Sequence, residues 1–296
     1  AIQFASAPFI RIDGRCTMLT TRDPVAVEGP DDVPALRNYY HPPVPEKAVS
    51  LSLATPLAQM TYKLAKVSVT RTFLSPLLNG DAQALMPIGV EEFEVRNTTG
   101  QAREVTLVLP RPSLVHLQEK ELKPTDQDTV YVCSAPVQGH VHEEFRRDGL
   151  RGVVMGNRQS QDRMAIAVPE TAGVEIDIQP YFCLNHLKQD LLLNEDGTFY
   201  EKRPPIPNQD YGAAISLTFT LKPRASVTIP CAIVLDFPQQ RFIDGKEFER
   251  KYVRRFKDKG TRTVDMVRVA LENHPQWRGR TQAIQGRIFD LIRRSP

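Results

Sequence analysis

Ile215-Ser216-Leu217-Thr218-Phe219-Thr220-Leu221, followed by Lys222-Pro223-Arg224-Ala225 and then Val227-Thr228-Ile229-Pro230-Cys231-Ala232-Ile233-Val234-Leu235, is the stretch that decides the fold class. In both flanking runs the apolar residues fall on every second position. That period turns one face of a β-strand into a core and leaves the other to solvent. The central four residues, with Pro223 in second place, read as the connecting turn. Upstream the same pattern recurs. Val67 and Val69 alternate with Ser68 and Thr70, and Phe93 and Val95 with Glu92, Glu94 and Arg96. Val105, Leu107 and Leu109 follow the hairpin turn expected at Asn97-Thr98-Thr99-Gly100, and Val174, Ile176 and Ile178 bracket Glu175 and Asp177. Many short strands joined by turns predict a mainly β protein, a large antiparallel two-sheet β-sandwich rather than βαβ units.

Two stretches break the alternation. Residues 20–47 carry Pro24, Pro30, Pro34, Pro42, Pro43 and Pro45, which predicts irregular, extended surface chain. Residues 185–212 contain Glu195-Asp196-Gly197, a hairpin tip, and Pro204-Pro205-Ile206-Pro207, a long loop.

After Phe237-Pro238 the period changes. Phe248, Tyr252 and Phe256 recur every four residues, which predicts a first helix. A second would carry Val264, Val267 and Leu271 and end near His274-Pro275. A third would place Trp277, Ile284, Ile288 and Leu291 on one stripe, with Gly279 and Gly286 weakening it by about 1 kcal/mol each relative to alanine. The expected organisation is a sandwich over residues 1–240, partly irregular before residue 50, and a helical tail over 241–296. Such stripes need a covering surface. Phe248, Tyr252, Phe256, Trp277, Ile284, Ile288 and Leu291 are expected to face a protein partner.

The chain has 296 residues, 24 prolines, one tryptophan and a net charge of +3, so no strong field marks a nucleic-acid partner. No apolar run approaches the roughly 18 residues that a membrane span needs, which predicts a soluble chain. Cys16, Cys133, Cys183 and Cys231 are widely spaced and form no CxxC, so buried free thiols are expected in preference to zinc ligation or disulfides. That favours a cytoplasmic setting over an extracytoplasmic one.

Chemistry-bearing residues are sparse. In His140-Val141-His142-Glu143-Glu144, the side chains of His140, His142 and Glu144 share one face of a strand, an arrangement that metal ligation would allow. The spacing is not HExxH and no distant fourth ligand suggests itself, so a polar face is expected, with no metal and no cofactor. Asp31-Asp32, Glu91-Glu92 and Glu143-Glu144 raise the question of acid–base chemistry. Adjacent strand residues point to opposite faces, so Glu91 and Glu92 cannot form a glycosidase pair alone, and solvated charge is expected at these positions. Asn97-Thr98-Thr99 is a glycosylation sequon at a turn, and the turn accounts for it. Arg278, Arg280, Arg287, Arg293 and Arg294 lie among apolar anchors and acidic neighbours and read as a solvated helix face.

The order of segments carries a resemblance. Val67-Ser68-Val69-Thr70-Arg71-Thr72-Phe73-Leu74-Ser75-Pro76 leads, after Leu85-Met86-Pro87, into Ile88-Gly89-Val90-Glu91-Glu92-Phe93-Glu94-Val95. Arg96-Asn97-Thr98-Thr99-Gly100, the exit Val234-Leu235-Asp236-Phe237-Pro238, then Tyr252-Val253-Arg254-Arg255-Phe256 and Trp277 follow in turn. This series, over about residues 60–290, resembles the N-terminal sandwich region of glycoside hydrolase family 116, the β-glucosidases and glucosylceramidases. The resemblance implies a sandwich that supports a catalytic α/α-barrel. The family's glycine-rich opening and its barrel have no counterpart here, so no residue inherits a catalytic role. The expectation is a non-catalytic subunit or fragment of a β-glucosidase assembly. A structural or self-assembling protein that reuses the sandwich, or a carbohydrate-binding module, are the alternatives.

Overall fold

The computed structural model describes residues 7–21, 41–54, 57–76, 86–115, 139–158, 160–183, 190–202, 211–241, 246–256 and 258–294. The proline-rich stretch 22–40, Pro204 to Pro207 and Cys133 lie outside the described residues. The strands run β1 (Phe9–Ile12), β2 (Arg15–Met18), β3 (Val49–Ala54), β4 (Leu57–Lys63), β5 (Val67–Leu74), β6 (Ile88–Asn97) and β7 (Arg103–Pro112). They continue as β8 (His140–Arg147), β9 (Leu150–Asn157), β10 (Arg163–Pro169), β11 (Val174–Cys183), β12 (Tyr211–Leu221), β13 (Ser226–Asp236), β14 (Gln239–Arg241) and β15 (Glu247–Glu249). The helix α1 (Arg262–Arg294) closes the order.

Two antiparallel sheets face each other, one of order β11-β12-β7-β1-β2 and one of order β3-β4-β5-β6-β13-β10-β9-β8. The core between them is built from the alternating residues of the sequence pattern, among them Val69, Phe93, Val95, Leu107, Ile166, Ile215, Leu217 and Ile229. The mainly β, two-sheet sandwich is therefore the observed fold.

The two turns at its decisive stretches are not hairpins. β6 lies in the eight-stranded sheet and β7 in the five-stranded one, so Asn97 to Gly100 carries the chain across the core. The turn at Lys222 to Ala225 likewise passes from β12 in one sheet to β13 in the other. A period of two fixes which face of a strand is buried, and that face is satisfied equally by a lateral neighbour or by a strand opposite. The two arches are tied together by Asn97, which is fully buried. Its Nδ2 donates to the carbonyls of Gln101 (2.7 Å), Lys222 (3.1 Å) and Leu221 (3.3 Å), and its backbone N–H donates to Ala225. That amide is committed to the fold and inaccessible to a glycosyl donor.

Each sheet is covered on its outer side by a different element. Over the five-stranded sheet lies the turn at Glu195-Asp196-Gly197, with Leu193 bridged to Phe199. Leu191 and Phe199 pack there against Phe9, Val108 and Phe182. The guanidinium of Arg11 reaches up to the carbonyls of Asn194 and Glu195. A Cβ on Gly197 would fall 2.0 Å from Thr218 Oγ1, so only glycine lets this loop lie so close to the sheet.

Over the eight-stranded sheet lies α1, and here the helical expectations need correction. The second and third expected helices are one continuous helix of 33 residues, about 50 Å long, with Pro275 inside it. Pro275 has no N–H for the Leu271 carbonyl. The imidazole of His274 takes that place, its Nδ1 lying 2.7 Å from Leu271 O. The first expected helix is instead strand β15, which holds Phe248, and a 3-10 turn over Lys251–Arg255. A spacing of four fits one face of a strand as well as one face of a helix, which is why Phe248, Tyr252 and Phe256 misled.

Candidate functional site

The candidate site lies where α1 meets the eight-stranded sheet. The sheet offers small residues there: Ala165 and Ala167 on β10, Ala232 on β13 and Gly152 on β9. Met266, Val267, Ala270, Leu271 and Trp277 of α1 settle into that shallow face.

Polar anchors flank the apolar seat. At the start of α1, Asp236 is 1% exposed at the end of β13. It receives the hydroxyl of Tyr252 (3.0 Å), Nε of Arg262 (2.9 and 3.0 Å) and Oγ1 of Thr263 (2.8 Å). Burial, reinforced by this carboxylate, holds the Tyr252 phenol far above its ordinary pKa, so it stays a donor. The Asp236-Phe237-Pro238 motif is therefore a helix anchor. Farther along α1, Glu92 accepts from Nη2 of Arg278 and lies 3.8 Å from Nε2 of His274.

Glu91, the neighbour of Glu92, points into the other core. Its two oxygens accept separately from Arg71 and from Arg111, the latter reaching across from β7. The two glutamates point to opposite faces, as strand geometry requires. The expectation of solvated charge fails at both, since Glu91 is 6% and Glu92 5% exposed. Charge spacing along a strand shows which face a carboxylate takes, but the arginines that make its burial tolerable come from β7 and α1, some 20 and 186 residues away. Each carboxylate is bound to guanidinium groups, and the pair does not converge on a common site.

The histidine cluster on β8 is likewise divided. His142 is buried, its ring stacked on Tyr181 at 4.4 Å with Nδ1 against the Pro180 carbonyl. Burial pulls its pKa down to about 4. The ring of His140 lies 6.3 Å away, edge-on, and Glu144 is exposed. Among the described residues no group of three or more metal-ligating side chains comes together. Cys16 and Cys231 carry free thiols, both raised by burial, Cys231 to about 12. Cys183 is buried under the Asp190 carboxylate, which its backbone N–H reaches at 2.8 Å.

The apolar residues expected to face a partner divide as well. Tyr252 (1% exposed) and Trp277 (4%) are spent on the seat of α1, and Phe256 packs partly against it. Phe248 (53%) and Ile288 (39%) are exposed, and Ile284 is half-buried. Phe289, which the stripe reading passed over, is 48% exposed. The side chain of Leu291 lies outside the described residues. No helix of the described residues is long and apolar enough to cross a membrane.

Among solved structures, one similar chain is described as a kojibiose phosphorylase from the human microbiome. It shares 8% identity with a TM-score of 0.38, and the match covers 91% of this chain and 24% of that one. The chain thus spans about a quarter of that protein's length. No curated protein matches in sequence. The family model described as beta-glucosidase 2, glycosyl-hydrolase family 116 N-term, matches residues 29–277, from ahead of the first strands of the eight-stranded sheet through Trp277 on α1. The chain belongs to the family of glycosyl-hydrolase family 116 N-terminal domains.

Proposed function

We propose that this chain is a non-catalytic sandwich unit that supports a catalytic α/α-barrel of a β-glucosidase, with the outer half of α1 as the surface that meets it. The observation that carries this reading is a change in burial along one helix face. Positions 263, 266, 267, 270, 271, 277 and 281 are buried, and the same face continues at Ile284 and Ile288 beyond the sheet's cover. A helix seated firmly by Asp236 and Glu92 holds its outer turns, with Ile288 and Phe289, as an apolar arm in water, and such a surface favours association. Arg280, Arg287 and Arg293 flank the arm and would steer an acidic partner.

The test uses the full chain and a separately produced catalytic α/α-barrel of a family 116 β-glucosidase. The two should co-sediment, and Ile288→Asp with Phe289→Asp should abolish the complex while leaving the melting temperature of the chain unchanged. The chain alone should leave aryl β-glucosides intact. Turnover by pure chain, lost on mutating one of its own carboxylates, would refute the non-catalytic reading. Concentration-dependent sedimentation of the chain by itself, abolished by the same double change, would instead support self-assembly.

A further inference from the structure

Beside the Asp236 anchor, β8, β9, β10 and the first turn of α1 enclose a cleft of about 720 Å³. That is within the range of small-molecule sites, about 300–1,000 Å³. Its lining carries Arg158, Arg163, Lys259 and Arg262, with Glu143 and Glu144 contributed by β8. Arg262 has 3% of its side chain exposed. Its Nε is spent on Asp236, and its buried Nη1 has no hydrogen-bond partner among the described residues. That nitrogen is closed off from solvent, so the exposed cations of the lining, Arg158 and Lys259, are the ones a ligand can reach.

Arg163 is held ready beside it. Its Nη1 donates to the carbonyls of Asp162 (2.7 Å), Ser160 (2.8 Å) and Asn157 (3.1 Å). The side chain lies across Gly156, where a Cβ would stand 2.6 Å from Cδ and 2.8 Å from Nε, so the glycine makes room for the arginine. Arg262 is neutralised by Asp236, and Asp265 in the same turn is engaged by Thr261 and Arg268. Arg158, Arg163 and Lys259 then exceed Glu143 and Glu144 by one charge. The amino end of a 33-residue helix adds its own positive potential.

We infer that this cleft binds a small ligand through an oxyanion, a phosphate or a carboxylate, seated between Arg158, Arg163, Lys259 and the first turn of α1. Glu143 and Glu144 limit the affinity for a bare anion and offer acceptors to hydroxyl groups on the rest of the ligand. The site is separate from the exposed arm at the other end of α1.

Calorimetric titration of the full chain with inorganic phosphate and with acetate at low ionic strength tests this. Saturable binding of either supports the site, and the tighter one identifies the head group. Arg158 and Lys259 are exposed, so R158E with K259E should keep the parental melting curve while weakening binding about tenfold or more. E143Q with E144Q should tighten binding about threefold by removing nearby like charge. K222E, on the remote turn between β12 and β13, should change nothing. Absence of saturable binding of both anions would overturn the inference, because water alone would then occupy the cleft. Weakening by K222E of about half that by the cleft variant, on a logarithmic scale, would also overturn it, because binding would then follow net charge, two units changed against four.

Discussion

Glu91 and Glu92 are adjacent on β6 and equally buried, yet the two faces of the eight-stranded sheet hold them in different ways. On the inner face Glu91 is clamped by Arg71 and by Arg111, whose side chain is 7% exposed. On the outer face Glu92 is met by Arg278, whose side chain is 35% exposed, and by His274. The inner pair cannot come apart without stranding a charge between two sheets. The outer pair can release its arginine to water by a turn of the half-exposed Arg278 side chain alone. The contrast shows how one strand can tie two sheets through a fully buried ion pair on one side and anchor a packed helix through a half-exposed one on the other.

The largest effect is expected from Glu91→Ala. It strands Arg111 and Arg71 in the inter-sheet core and should lower stability by about 3–5 kcal/mol, read by chemical denaturation with an unchanged m-value. The inner face also carries His142, whose pKa is held down to about 4 by burial. An imidazole kept neutral in the fold binds fewer protons than in the unfolded chain. Its contribution is therefore complete above pH 6.5 and lost as pH falls toward 4, by up to about 3 kcal/mol. The difference in stability between the parent and His142→Gln, followed over that window, measures it, and a flat difference would show that the ring titrates normally.

Glu92→Gln should cost less, about 1 kcal/mol, since Arg278 can turn to solvent. Hydrogen exchange should show the loss confined to α1. A global loss as large as that of Glu91→Ala would erase the distinction between the faces. Smallest of all, Phe289→Asp should leave stability within about 0.5 kcal/mol, since that side chain is already in water.

Much of this was legible in the residues. The alternation from Val67 to Leu235 determined strands, their buried faces and hence a sandwich, because period two is a local property of extended chain. Asp196-Gly197 and Pro223 marked turns because their backbone preferences are local as well. Spacing of four read as a helix at Phe248 and Tyr252, where a strand and a 3-10 turn stand, and Pro275 looked like a helix end because the side chain that replaces its missing N–H is invisible to propensity. Only the tertiary structure decided that two turns are arches between sheets and that Asn97 locks them together. It alone decided that Glu91 and Glu92 are buried and that Trp277 belongs to this chain's own seat. The reason is the same in each case. Burial of a charge, or the choice between a lateral and a facing neighbour, depends on groups brought from far along the chain, as Arg111 and Arg278 are, and no local period encodes their arrival.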